Sequence, residues 1–299
     1  MKKLVTILSI STLMLLGACG TADDDADQQD DTQGDAPDTE ETDIDEGEDT
    51  SWQDVEESGT LVVGTSGTYA PVTYHDENNE LTGFDVEMMR EIADRLELDV
   101  EFSMMDFDGI LPALRNGQID IAAHDFAVTE EREEIFTFTN PYKFSYGSVI
   151  VRAEDLDDYE TAHDLEGVPV ALGSLTSNYA VFADNIGADG TAYDGGVDAI
   201  LRDVLNGNQD AYLNDTLVLQ RTLDEFDDER LAVADQVKYH ATESAYPMLQ
   251  GNYSLKEAID EVIEEMREDG TIAELSEEFF GADASQPVDE DEVVSLEGN

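Results

Sequence analysis

Apolar residues recur along this chain in two alternating periods, one fit for short buried strands and one for amphipathic helices. Residues 51–59 read as a short helix, with Ser51 at the N-cap, acids inside and Gly59 at the end. Leu61-Val62-Val63-Gly64 follows as a buried strand. Residues 85–96 place Val86, Met89, Ile92 and Leu96 on one helical face. Residues 100–103 are strand-like; Ile110, Leu111 and Leu114 mark a short helix with Pro112 in its first turn; residues 120–123 return to strand. A second run has the same order. Residues 168–172 form a strand and 176–185 a helix opened by a Ser/Thr cluster. Val197, Ile200, Leu201, Val204 and Leu205 make a helix ending at Gly207, before a strand at 211–213 and a helix at 216–226. Residues 255–266 and 272–280 are helical. Strands alternating with helices predict two α/β units with parallel layers.

The chain's ends break this pattern. Lys2 and Lys3 precede an apolar stretch at 4–16, too short to span a bilayer comfortably, and Leu16-Gly17-Ala18-Cys19 resembles a lipobox. Residues 1–18 are therefore expected to be a lipoprotein signal peptide, with lipid on Cys19; an ordinary secretory signal is the competing reading. Cys19 is the only cysteine, which excludes disulfides and cysteine-rich zinc sites. Residues 21–50 hold 15 acids and no Lys or Arg. Residues 19–50 accordingly read as an acidic, disordered tether rather than a calcium site, since no fixed ligand spacing appears. Residues 282–299 read as a loose acidic tail.

Charge then narrows the function. The 299 residues carry 73 Asp and Glu against 14 Lys and Arg, a net charge of −59. Nucleic acid is excluded as a partner, because phosphate binding needs clustered cations. Strong apolar periodicity from about 60 to 280 excludes a wholly disordered acidic chain. A folded protein adapted to high salt remains, where molar electrolyte screens the self-repulsion.

Several strings, in order, resemble the family 3 extracellular solute-binding proteins, the polar amino-acid receptors of ABC importers. They are Gly59-Thr60-Leu61-Val62-Val63-Gly64-Thr65, Leu81-Thr82-Gly83-Phe84-Asp85-Val86-Glu87 and Phe107-Asp108-Gly109-Ile110-Leu111-Pro112-Ala113-Leu114. Gly117-Gln118-Ile119-Asp120, Thr129-Glu130-Glu131-Arg132, Phe138-Thr139-Asn140-Pro141-Tyr142 and Leu213-Asn214-Asp215 continue the match. The last string is similar to the cystine and cysteine receptors. The resemblance implies a two-lobed α/β periplasmic-binding-protein fold (type II) over 51–281. Lobe 1 would span about 51–147 and 242–281, and lobe 2 about 148–241, with two hinge crossings and an interlobe cleft.

A free amino acid offers a carboxylate and an ammonium. The resemblance assigns the carboxylate to Arg132, whose planar fork suits it; a surface ion pair with Glu130 or Glu134 is the alternative. Backbone amides near Ala127, Ser174 and Thr176 would add donors. Asp215 takes the ammonium, or caps the next helix, or both. Tyr69 and Phe107 would sandwich the ligand side chain, with plain core packing as the alternative, and Ser66 would be a polar contact. Asp125 and Ala127 depart from the family pattern of a small residue and a hydroxyl. Asp125, or His124 beside it, would compensate for the missing hydroxyl or recognise a cationic ligand. The implied partners are an amino acid, ABC permease subunits and the membrane through lipid at Cys19, in an extracytoplasmic monomer with no cofactor and no metal. Two other functions compete: a cyclic-acid dehydratase with Asp125 or His124 as general acid, and a ligand-presenting subunit of a sensor.

Overall fold

The computed structural model describes residues 49–193, 196–289 and 293–294. The expected signal peptide, Cys19 and nearly all of the tether lie outside them. So do 290–292 and 295–299 of the tail.

The first half runs α1 (Ser51–Ser58), β1 (Thr60–Thr65), β2 (Thr68–Tyr69), β3 (Thr73–His75), β4 (Leu81–Thr82), α2 (Phe84–Arg95), β5 (Asp99–Met104), α3 (Phe107–Arg115), β6 (Ile121–Ala122), α4 (Glu130–Glu133) and β7 (Phe136–Phe138). The chain then passes through β8 (Lys143–Arg152), β9 (Pro169–Leu172), α5 (Asn178–Ile186), β10 (Asp189–Ala192), α6 (Val197–Leu205), β11 (Ala211–Asp215), α7 (Thr216–Phe226), β12 (Leu231–Val233) and β13 (Tyr239–Ser244). It returns with β14 (Pro247–Leu249), α8 (Tyr253–Glu268) and α9 (Thr271–Phe280). One sheet has the order β5-β1-β6-β14-β7. The other has the order β10-β9-β11-β8-β12, with β13 also on β8. Strands β2, β3 and β4 make a small third sheet. β1 is parallel to both β5 and β6, and β9 to both β10 and β11, as the strand–helix alternation requires. The lobes meet where two segments run side by side. Tyr142 N–H donates to the Ser244 carbonyl at 2.9 Å, and β13 lies antiparallel on β8.

Each sheet buries its own core. In the first, α2 turns Val86, Met88, Met89 and Ile92 inward, all without solvent exposure. Burying each such side chain stabilises the fold by about 1.5–3 kcal/mol. Met88 and Met89 meet α8 and α9 through Ile259, Ile263 and Phe280 in one cluster. In the second, Val149, Val170, Leu213 and Tyr239 pack under α5.

The structure departs from the sequence reading in four places. Thr50, not Ser51, is the N-cap of α1, because the Asp49 carboxylate reaches the Ser51 amide at 3.0 Å and the Ser254 amide of α8 at 2.6 Å. Helix α3 opens at Phe107, so Pro112 lies inside it and removes one main-chain bond. Helix α5 opens at Asn178, where the Ser177 hydroxyl accepts the Ala180 N–H, rather than at Thr176. The tail is not loose throughout. Phe144 N–H donates to the Ala284 carbonyl at 2.8 Å, Arg267 holds the Ser285 carbonyl at 2.5 Å, and Val294 pairs with Lys238 and His240 beside β13. Among the described residues no helix is long and apolar enough to cross a membrane.

Candidate functional site

A cavity of about 750 Å³ opens between Phe107, Phe126 and Arg132 of the first lobe and Thr176, Asn178 and Phe182 of the second. That is within the usual size for a small-molecule site, roughly 300–1,000 Å³. Arg132 stands on the four-residue α4, which Thr129 caps by accepting the Arg132 N–H. Its guanidinium lies 5.5 Å over the Phe126 ring and donates one bond, 2.8 Å, to the Ala127 carbonyl. Among the described residues no carboxylate pairs with it, although Glu130 and Glu131 also line the cavity. Desolvation pulls its pKa down from the ordinary arginine value. A planar cation with donors to spare thus faces an interlobe cavity, which suits a carboxylate.

The lobes touch directly around this cavity. The Tyr69 hydroxyl donates to Asn214 Oδ1 at 2.8 Å. The hydroxyls of Ser174 and Thr176 both donate to Asp108 Oδ1, at 2.9 and 2.7 Å. The sequence points to Ser174 and Thr176 as backbone donors to a ligand; in the fold their side chains latch onto Asp108 across the cleft.

The aromatic sandwich is already filled. The His124 imidazole stacks on Tyr69 with centroids 5.1 Å apart and lies 4.9 Å from Phe107. Its Nε2 and the Ser66 hydroxyl share a hydrogen bond of 2.8 Å. Burial lowers the His124 pKa to about 4, so the ring is neutral at ordinary pH. Ser66, a polar ligand contact on the sequence resemblance, is thereby tied to His124.

Asp215 and Asp125 share one buried cation. Lys143, at the start of β8, places Nζ 2.7 Å from Asp215 Oδ2 and 3.1 Å from both oxygens of Asp125. Their side chains are 1 %, 0 % and 5 % exposed. Burial by itself would lower the Lys143 pKa, but the two carboxylates outweigh it and hold the ammonium above its ordinary value. Burial pushes Asp215 upward, opposed by the pull of Lys143. Asp215 Oδ1 meanwhile accepts the Leu217 amide at 2.8 Å and caps α7. Asp125 sits at φ 53°, a left-handed conformation that Asp tolerates better than most residues. Its amide donates to Asp85 at 2.6 Å, and Ser244 donates to its carboxylate at 2.5 Å. Asp85, also bonded by the Tyr142 hydroxyl, has its pKa raised to about 7 by burial and by the Asp125 charge.

Of the residues singled out in the sequence, the cavity wall therefore takes Phe107, Arg132 and Thr176. Ser66, Tyr69 and Asp125 lie in the hydrogen-bonded layer beside it, with Ala127 contributing the carbonyl that orients Arg132. Lys143 was not singled out. A signal existed: it stands in a stretch, residues 135–153, without a single acid, in a chain where 73 of 299 residues are acidic. Such a lysine has to find its counter-charges elsewhere in the fold. Among the described residues no cluster fits a metal ion.

Known proteins resemble this chain over most of its length. The probable ABC transporter extracellular-binding protein YckB of Bacillus subtilis is 41% identical over 244 residues, covering 80% of this chain and 85% of its own. Its crystal structure superposes with a TM-score of 0.69 over 82% of this chain and 98% of that one. The L-cystine-binding protein TcyA of Bacillus subtilis is 30% identical and aligns with 95% of this chain and 99% of its own. The substrate-binding protein AbpA of Streptococcus pneumoniae, solved with L-arginine, is 27% identical, with a TM-score of 0.69 over 78% of this chain and all of that one. The family model matches residues 61–282, and the chain belongs to the bacterial extracellular solute-binding proteins, family 3.

Proposed function

We propose that this protein is the extracytoplasmic substrate-binding lipoprotein of an ABC importer, capturing a free polar amino acid between its lobes for delivery to the permease. The observation that carries the reading is Arg132, a guanidinium without a carboxylate partner among the described residues, facing the interlobe cavity. The ligand carboxylate would take its free donors, and Asp215 the ammonium. The protein is not an enzyme on this reading: the neutral, stacked His124 and the lysine-bound Asp125 are poorly placed as general acids. The test is calorimetry and thermal shift against the twenty amino acids and cystine in molar salt. Cystine comes first because of the likeness to TcyA, and arginine is included because AbpA was solved with it. At least one compound should bind and raise the melting temperature, since ligand binds only the folded form. Silence across the panel would sink the amino-acid reading.

Attachment rests on the lipobox-like Leu16-Gly17-Ala18-Cys19. Cys19→Ser is expected to move the protein from the detergent phase to the aqueous phase, or to leave its signal uncut. Unchanged partitioning would show that no lipid is carried at Cys19.

A further inference from the structure

Lys143 belongs to neither the expected carboxylate grip nor the aromatic wall, yet its Nζ is bonded to Asp215, the carboxylate proposed above for the ligand's ammonium. Asp215 has two oxygens. Oδ1 is committed to the N-terminus of α7, and Oδ2 to Lys143 at 2.7 Å. Asp125 closes on the same Nζ from the other side, 3.1 Å from each oxygen. Its backbone belongs to the first sheet's side of the cleft, whereas Asp215 ends β11 in the second sheet. A ligand ammonium approaching Asp215 therefore meets a carboxylate whose second oxygen is already paired with Lys143. Opposite Ser145 across the β8–β13 pair, the buried Thr242 hydroxyl has no hydrogen-bond partner among the described residues, while the Ser145 hydroxyl leans toward Asp215 and helps hold its carboxylate charged. Ser145 lies two residues beyond Lys143 on the same strand face.

We propose that Lys143 is a specificity-determining residue, a built-in competitor for the ligand's α-ammonium. The inference rests on the amino-acid reading above and specifies it. To reach Asp215 Oδ2, the ligand's ammonium must displace or share Nζ. What the ligand gains from its ammonium is then offset by what Lys143 loses, while Arg132 holds the carboxylate regardless. A 2-deamino analogue, keeping the carboxylate and the side chain, is bound almost as well as the amino acid.

The experiment measures a preference: the affinity for an amino acid divided by that for its deamino analogue. The probes are L-cystine with 3,3′-dithiodipropionate, and L-glutamine with 4-carbamoylbutanoate, together with the deamino partner of any other amino acid that binds in the panel. In the wild-type protein the preference should be below about tenfold. An uncontested desolvated ammonium–carboxylate pair would give roughly 30-fold or more. In Lys143→Met, or in Lys143→Gln if the first folds poorly by circular dichroism, the preference should widen tenfold or more. Lys143→Arg keeps the charge and should keep the narrow ratio. A purely structural lysine would weaken both compounds together and leave the ratio alone. A wild-type ratio above 30-fold, or a ratio unchanged in the neutral variants, overturns the proposal while leaving amino-acid binding intact. If no amino acid binds wild type or variants, the amino-acid reading itself falls, and this inference with it.

Discussion

Arg132→Ala is expected to weaken binding of the amino-acid ligand by roughly 30-fold or more, with the melting temperature of the empty protein nearly unchanged. Truncating one partner of a desolvated charge pair leaves the other unpaired and costs about 2–5 kcal/mol. At about 1.4 kcal/mol per decade, the lower end of that range already gives the 30-fold figure. The empty protein is expected to tolerate the change because Arg132 makes only one side-chain hydrogen bond, to the Ala127 carbonyl, besides its contact with Phe126. Removing an already desolvated cation even removes a small penalty, in line with its lowered pKa. Arg132→Lys should recover only part of the affinity, because a single ammonium cannot present the planar fork. Calorimetry at high salt reads the first quantity and a melt the second. Binding that survives Arg132→Ala intact would remove the carboxylate grip from the site. Asp215 makes a less clean test than the sequence suggests. It caps α7 and balances Lys143 inside the protein, so Asp215→Ala is expected to destabilise the fold as well as the complex.

Raising KCl from 0.05 to 2 M is expected to lift the melting temperature by about 10 °C or more. Helix α8 shows the cause on a small scale. Glu257 faces Glu261, Glu261 faces Glu265, Asp260 faces Glu264 and Glu264 faces Glu268, each four residues apart. Such like-charge pairs cost about 0.2–0.5 kcal/mol apiece at low salt. Over a chain with net charge −59 the sum reaches several kcal/mol. The Debye length shrinks from about 10 Å at 0.1 M to about 3 Å at 1 M, which removes most of that repulsion. For a domain of this size each kcal/mol moves the midpoint by about 2–4 °C. NaCl and KCl should act alike. Sucrose separates screening from solute exclusion, since it strengthens burial without screening charge. A flat response to salt, or an equal response to sucrose, would refute the screening argument. It would leave the family assignment untouched.

Much of the architecture is local, and the sequence shows it. The face of α2 follows from Val86, Met89 and Ile92 at helical spacing, and all three are buried. The span 216–226 coincides with α7, whose Asp N-cap and apolar face are both written within a dozen residues. The order of motifs points to the family, and Arg132 is recognisable because it stands in the motif Thr129-Glu130-Glu131-Arg132 in a chain nearly bare of basic residues. The short strands β2 to β4, β7, β10, β12 and β14 carry too few residues for a period to show, so their existence depends on partners far along the chain. The same reason governs the chemistry of the cleft. Lys143 meets Asp215 across 72 residues, Tyr69 meets Asn214 across 145, and Asp108 meets Ser174 across 66. Helical and strand periods are set by neighbours a few residues apart, which a sequence displays directly. Which of many carboxylates balances a buried lysine is set by desolvation and by contact between elements, and that only the packed tertiary structure decides.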